Sequence, residues 1–354
     1  MSDKTSKYNI NIDIKEIENI AYHIETKTLS NTAYKFNISK ASKLILEFSG
    51  KDLNFRIINT LRRVAHDDIP TYAFPTNLIN VSANNTIYNN DQIKLRLSQI
   101  PIINTDLDLY YLDSIYWKDV NYADPKRIKH KLEKSIEISI NEYNDTNKVK
   151  HITTNNIKYY ENGNIIENKY NKECPLLITQ LRPAETFTCS LRAALGLGDF
   201  DDIWSAVSNI YYDDIGTEEN PKILFYIESQ GQFDEYTILI KSCKFIKQKL
   251  QELKKEVEKK FNTKEINEQK EIILVFDGED HTMGEIINYA FQNHPDIIYS
   301  GVAKIDHLLK SIRITVVSAD TIKSPLIPMM EQFKYLDLLF SYLEDKITNL
   351  SKKK

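Results

Sequence analysis

Two rhythms of hydrophobic residues run along this chain, and both occur twice. Toward each end an apolar run, Lys43-Leu44-Ile45-Leu46-Glu47-Phe48 or Glu271-Ile272-Ile273-Leu274-Val275-Phe276, reads as a strand that closes on Phe-x-Gly-x-Asp. A helix-spaced set follows each strand, with Ile57, Ile58 and Leu61 in the first copy and Met283, Ile286 and Ile287 in the second. Asp52 and Asp280 stand where a carboxylate can cap the first turn, a contribution of about 1 kcal/mol each. Both helices are predicted to stop at a proline, at Ile69-Pro70 and His294-Pro295, because proline disfavours helix at the residue before it.

The second rhythm is longer. Phe245, Ile246, Leu250, Leu253, Val257 and Phe261 recur at three- and four-residue steps, as do Phe333, Leu336, Leu339, Phe340, Leu343, Ile347 and Leu350. Each set predicts an amphipathic helix with one apolar stripe. Lys310 to Val317 alternates as a strand. The repeat therefore comprises strand, short helix, strands and long helix, and it predicts two similar surfaces facing each other across an internal pseudo-two-fold axis. Between about Phe74 and Cys174 the pattern loosens around Asn84-Asn85, Asn89-Asn90 and Asn155-Asn156. Asparagine tolerates left-handed turns, so this stretch predicts strands and loops rather than a continuous helix. A polar segment from Asn262 to Gln269 reads as the junction between the halves.

With 354 residues the chain has room for two or three domains, and 42% hydrophobic with 27% charged residues fits an ordinary globular protein. A formal net charge of -4 offers nucleic acid no global attraction, leaving only local basic patches. The opening residues lack a basic stretch followed by an apolar core, and no apolar run approaches the roughly 20 residues that cross a bilayer. An intracellular, soluble protein without a membrane partner is expected. Cys174, Cys189 and Cys243 form no Cys-x-x-Cys pair and read as free thiols. The abundance of Asn, Ile, Lys and Tyr points to an AT-rich genome.

Candidate chemistry is sparse. Asp67-Asp68, Asp199-Asp201-Asp202 and Asp213-Asp214 offer carboxylates for magnesium, but no phosphate-cradling loop accompanies them, since Gly196-Leu197-Gly198 lacks a third glycine. Solvated acidic faces are the better reading. His281 with Glu285 is a four-residue pair without the second histidine of a zinc helix, so capping and turn geometry explain it better. Trp204 and Tyr211-Tyr212 lack interleaved basic residues and read as core or interface aromatics rather than a base-stacking platform. No metal, cofactor or catalytic residue is expected. Arg62 and Arg63 lie about 100 degrees apart on their helix, so both cannot share the apolar face. Their guanidinium forks suit carboxylates and carbonyls at a protein interface, and a solvated or locally salt-bridged pair is the alternative.

Several of these segments carry a family resemblance. Asn59-Thr60-Leu61-Arg62-Arg63-Val64 with Asp68-Ile69-Pro70-Thr71 resembles the signature of the third subunit of eukaryotic RNA polymerase II, the archaeal D subunit and, more distantly, the N-terminal domain of the bacterial alpha subunit. Asn90-Asp91-Gln92-Ile93 through Arg96-Leu97 to Ile100-Pro101 is similar to the segment that follows there. Ile178-Thr179-Gln180-Leu181-Arg182-Pro183 with Trp204-Ser205-Ala206-Val207 resembles the return into the dimerisation domain. Glu279-Asp280-His281-Thr282-Met283-Gly284, with Pro295 and Gly301, resembles the polymerase II eleventh subunit and archaeal L; Glu285 departs from the Asn usual there.

The resemblance implies an α+β fold: a pseudo-symmetric intramolecular heterodimer of two alpha-like dimerisation modules, with a strand-and-loop insertion domain in the first half. Residues 1–75 and 175–264 would form the D-like module, 76–174 the insertion and 265–354 the L-like module. Fusion would make the pairing intramolecular, at an effective concentration on the order of millimolar for a short linker, and the isolated chain monomeric. It implies a non-catalytic assembly platform of a DNA-directed RNA polymerase, docking the largest and second-largest subunits, with small zinc-binding subunits as further candidates. DNA would be met only through the complex. Asn59, Leu61, Arg62, Arg63, Arg96, Arg182 and Trp204 would face other subunits. Asp52, Ile58, Asp280, His281, Thr282, Met283, Gly284 and Ile287 would form helix caps and the contact between halves. The zinc or iron-sulfur cysteines of many relatives are missing. The fused arrangement resembles that of large cytoplasmic DNA viruses, which implies host cytoplasm and virion. An independent transcription-associated binding module on the same fold is the alternative, and a stand-alone nucleotidyl-transfer enzyme is disfavoured by the missing motifs.

Overall fold

The computed structural model describes residues 8–20, 41–217, 219–261, 269–306 and 309–352. Of the expected junction from Asn262 to Gln269, residues 262–268 lie outside the described residues. In chain order, β1 (Asn11–Ile20) and β2 (Ala41–Ser49) lead into helix α1 (Phe55–Asp67). Then come β3 (Thr71–Ala73), β4 (Ile79–Asn84), α2 (Asn90–Ser98), β5 (Ile136–Tyr143), β6 (Lys150–Thr153), β7 (Lys158–Glu161), β8 (Asn164–Ile166), β9 (Leu177–Leu181), β10 (Thr186–Arg192) and β11 (Ala194–Gly196). β12 (Val207–Asp214), β13 (Lys222–Ser229) and α3 (Glu235–Lys260) close the first half. The second half contains β14 (Glu271–Asp277), α4 (His281–Gln292), β15 (Ile297–Lys304), β16 (Ser311–Ser318) and α5 (Leu326–Ser351).

The first sheet has the order β1-β2-β13-β12 and the last β14-β16-β15, all antiparallel. In both, the strand before the short helix pairs with the strand before the long helix. Phe48, Leu46 and Leu44 oppose Ile223, Phe225 and Ile227, while Phe276, Leu274 and Ile272 oppose Ile312, Ile314 and Val316. All twelve of these side chains are buried, so in each half the same alternation turns one sheet face inward. The helices cover that face. α3 and α5 lie against each other, α1 touches α3 and α4, and α4 touches α5. The seam between the long helices buries Ile246, Leu250, Leu253 and Val257 of α3 and Phe333, Leu336, Leu339, Phe340 and Leu343 of α5. Lys247 and Glu344, 2.5 Å apart, clip its polar margin.

Between α1 and β12 lies a five-stranded sheet, β4-β10-β5-β7-β8, with two small pairs, β3-β11 and β6-β9. This overturns the expected return to the first module at residue 175. β9 and β10 bond to β6, β4 and β5, so their ladders place residues 177–192 with the insertion, and only β12 and β13 rejoin the first sheet. The insertion also includes one helix, α2, where strands and loops alone were expected. Asn89 starts it with a capping box in which its side chain accepts the Gln92 N–H and the Gln92 side chain reaches back.

The paired Phe-x-Gly-x-Asp turns differ in what covers them. Gly50 has φ +130° and its hypothetical Cβ would lie 2.0 Å from the Asn9 carbonyl oxygen, whereas Gly278, with φ +83°, has nothing within 4 Å. Gly50→Ala therefore costs both left-handed strain and a backbone clash, and Gly278→Ala only the strain, on the order of 1 kcal/mol. Equilibrium denaturation of the two variants is expected to show the larger loss at Gly50.

Candidate functional site

Helix α1, packed against both α3 and α4, buries Ile57, Ile58, Leu61 and Val64. The 3.6-residue repeat then leaves Arg56, Asn59, Arg62 and Arg63 on its flanks and outer face. α4 does likewise, burying Met283, Ile286 and Ile287. Between the two helices is a cleft of about 360 Å³ lined by Phe55, Arg56, Asn59, Thr60 and Arg63 from one half and His281, Thr282 and Glu285 from the other. Four residues singled out from the sequence, Asn59, Arg63, His281 and Thr282, thus meet at one place.

Charge joins the halves across this cleft. Arg63 Nη2 lies 3.0 Å from Asp280 Oδ2, and the other Asp280 oxygen accepts the Thr282 N–H at 2.7 Å as the cap of α4. Burial alone would raise the Asp280 pKa, but the Thr282 hydrogen bond and the charges of Arg63 and Lys310 hold it below the ordinary value. Arg56 approaches Glu285 at 3.9 Å and lies over the rings of Phe55 and Tyr289. Arg62 turns away, donating from Nε to Asn59 Oδ1 at 3.1 Å.

A second, larger cleft of about 490 Å³ opens on the other side of Asp280, with Asp67, Asp68, Asp199, Asp277 and Gly278 among its walls. Here Lys249 of α3 meets Glu279 at 2.8 Å. Burial lowers the affinity of the Lys249 amine for its proton, yet Glu279 more than offsets this and its pKa is raised. Burial likewise raises the pKa of Glu279, against the pull of Lys249. Desolvation, followed by the charges of Asp67, Asp199, Asp280 and Glu279, pushes Asp68 well above the ordinary carboxylate range. His66 bonds to Asp67 at 2.6 Å, which raises its pKa against the opposing effect of burial.

The structure corrects several sequence expectations. Asp52 does not cap α1: the helix begins three residues later, Asn54 accepts the Arg56 N–H, and Asp52 instead accepts the N–H of Asn9 at 2.7 Å. Leu61 and Trp204 have no surface to offer another subunit, being 0% and 1% exposed within their own chain. Trp204 donates its indole N–H to the Ala194 carbonyl and stacks on Tyr122. Gly284 lies under Val302 and Ile312 of its own sheet, serving helix-on-sheet packing rather than the contact between halves. Arg96 bonds the carbonyls of Ile178 and Leu177 within the insertion. Arg182 is exposed there too, so neither joins the α1–α4 cleft. Arg56, Lys249, Glu279 and Asp68 escaped the sequence reading as contacts; only Glu279 and Asp68 had a signal, as neighbours of the motif aspartates. Among the described residues no group of three or more His, Cys, Asp or Glu side chains is placed to hold a metal ion.

No protein-family model matches the sequence. Among curated proteins the chain is similar to one from Acanthamoeba polyphaga mimivirus named "Putative DNA directed RNA polymerase subunit R470". The two are 24% identical over 331 residues, which span 86% of this chain and 90% of the mimivirus protein.

Arg63 and Asp280 are each about a third exposed, so a double-mutant cycle with alanine is expected to give a coupling of about 0.5–1 kcal/mol at neutral pH. Because the folded-state pKa of Asp280 is lowered, this coupling is present above the ordinary carboxylate range and disappears as pH falls through the lowered value. Asp68 behaves oppositely. Its raised folded-state pKa means that stability is lost as pH rises above the ordinary carboxylate value, so Asp68→Asn should be more stable than the parent at neutral pH and gain nothing in acid. Denaturant midpoints measured across that pH range test both signs.

Proposed function

We propose that the chain is a non-catalytic assembly subunit of a multisubunit DNA-directed RNA polymerase of a large DNA virus. The observation that carries this reading is the likeness to the mimivirus protein along nearly the whole of both chains. In this reading D-like and L-like modules, fused in one chain, form an intramolecular pair whose outer surfaces dock the two largest polymerase subunits. The common strand order of the first and last sheets and the mutual burial of α3 and α5 support it. So do the segments resembling D and L subunits, which bracket the cleft where Asn59, Arg63, His281 and Thr282 converge.

The proposed mechanism is structural. Packing fixes α1 and α4 relative to each other, and the Arg63–Asp280 contact sets their register, so a partner meets one preformed surface rather than two mobile helices. Arg63 is engaged inside the molecule, which leaves Arg62 as the arginine of the signature available for docking. DNA is met only through the assembled enzyme, and small zinc-binding subunits are further candidate partners. No helix among the described residues is long and apolar enough to cross a membrane.

Coexpression with the two largest subunits of the cognate polymerase, followed by affinity capture, is expected to recover a one-to-one-to-one complex. Arg62→Glu should weaken capture about tenfold, equivalent to about 1.4 kcal/mol, without lowering the stability of the free chain. Equal capture of parent and variant would remove Arg62 from the interface, and failure to capture the parent would contradict the assignment.

A further inference from the structure

The first and last sheets share a strand order, but among the described residues the first has one more strand. β2 is covered on its outer edge by antiparallel β1, whereas β14, at the corresponding position, is an edge strand whose ladder partner among the described residues is β16 alone. The geometry points to strand addition: we propose that an extended segment of a partner polymerase subunit pairs with β14, entering past Gly278 and running antiparallel toward Glu271. This inference rests on the assembly reading above and specifies one contact within it.

The backbone at that edge is identifiable. Ser318 donates to the Lys270 carbonyl and Gly278 donates to the Lys310 carbonyl, so the even-numbered residues of β14 turn their backbone groups toward β16. Ile273 and Val275 therefore present theirs outward, and Lys260 Nζ already bonds the outward Val275 carbonyl at 3.1 Å. Ile273 is 50% exposed. An exposed apolar edge strand with outward N–H and C=O groups is a template for another strand.

The first half shows what such an occupant looks like. Along β1, Ile12 and Ile14 oppose Phe48 and Leu46, and the preceding Asn9 and Ile10 close over Gly50. At Gly278 that approach is open, and the cleft beside it is lined by eight Asp and Glu side chains, Asp67, Asp68 and Asp277 among them, against three lysines, of which Lys249 is bonded to Glu279 and Lys310 to Asp199, so the entry stays net acidic. The matching segment has a lysine or arginine at its entry, where a cation would offset the mutual repulsion of these carboxylates, followed by two apolar residues spaced two apart opposite Phe276 and Leu274. Charge complementarity and the β1 precedent both specify this protein segment.

The test uses the full chain, free and assembled with the two largest subunits. Hydrogen exchange at the amides of Ile273 and Val275 is expected to be fast in the free chain and at least about tenfold slower in the complex, since strand pairing removes them from water. Ile273→Pro removes an outward N–H while sparing the β14–β16 ladder, so it should keep the thermal midpoint of the free chain and weaken assembly about tenfold. Ile273→Lys, which needs no backbone change, should weaken it as well. A complex that forms while both amides stay as fast as in the free chain, or that holds these variants as tightly as the parent, overturns strand addition and leaves the assembly role intact. Slow exchange in a free chain that sizes as a dimer overturns it in favour of self-pairing. Absence of any complex overturns both readings.

Discussion

The burial of α3 against α5 is the constraint from which the rest of the architecture follows. Each is a 26-residue helix with an apolar stripe that is buried against the other helix as well as its own half. Truncating a buried side chain in that seam, such as Phe333 or Leu250, would remove contacts of both halves at once, and such losses in well-packed cores run to about 2–5 kcal/mol. Once the long helices are paired, the short helices have little freedom. α1 is held by α3, α4 by α5, and the two are brought side by side with Arg63 facing Asp280.

The seam handles charge in two ways. On the α1–α4 side the ion pairs are partly exposed, so each adds little stability and serves chiefly to set the relative position of the two helices. On the other side, Lys249 and Glu279 are mostly enclosed and Asp68 is surrounded by carboxylates. An arrangement that raises the proton affinity of a carboxyl at neutral pH works against stability, and it is found beside the open turn at Gly278 rather than beside the covered one at Gly50. Carboxylates of both halves thus gather at the end of β14, the outer strand that has no second partner among the described residues.

Much of this was legible in the sequence wherever periodicity repeats. The apolar runs ending at Phe48 and Phe276 gave strands, and the stripes from Phe245 and Phe333 gave long helices, because burial on one face leaves a regular spacing. The start of α1 was misplaced because Asp52 and Asn54 are both competent caps, and only the path of the backbone from Gly50 decides between them. The insertion boundary was missed because β9 and β10 alternate like any half-buried strand, and alternation does not say which sheet a strand joins. Of the site, Asn59, Arg63, Asp280, His281 and Thr282 were found through motif resemblance. Lys249 was not, since a lysine on the flank of an amphipathic helix looks solvated until Glu279 is brought to it by the fold.

In the assembly function proposed above, the two halves of this chain pair as a heterodimer that is covalently joined. The most direct measurement of that pairing is to express residues 1–264 and 265–354 as separate chains in one cell and determine the mass of what is purified through a tag on one of them. A stable one-to-one pair with a single cooperative unfolding transition is expected, because the two long helices bury their apolar stripes against each other. Recovery of two independently folded monomers that ignore each other would contradict it.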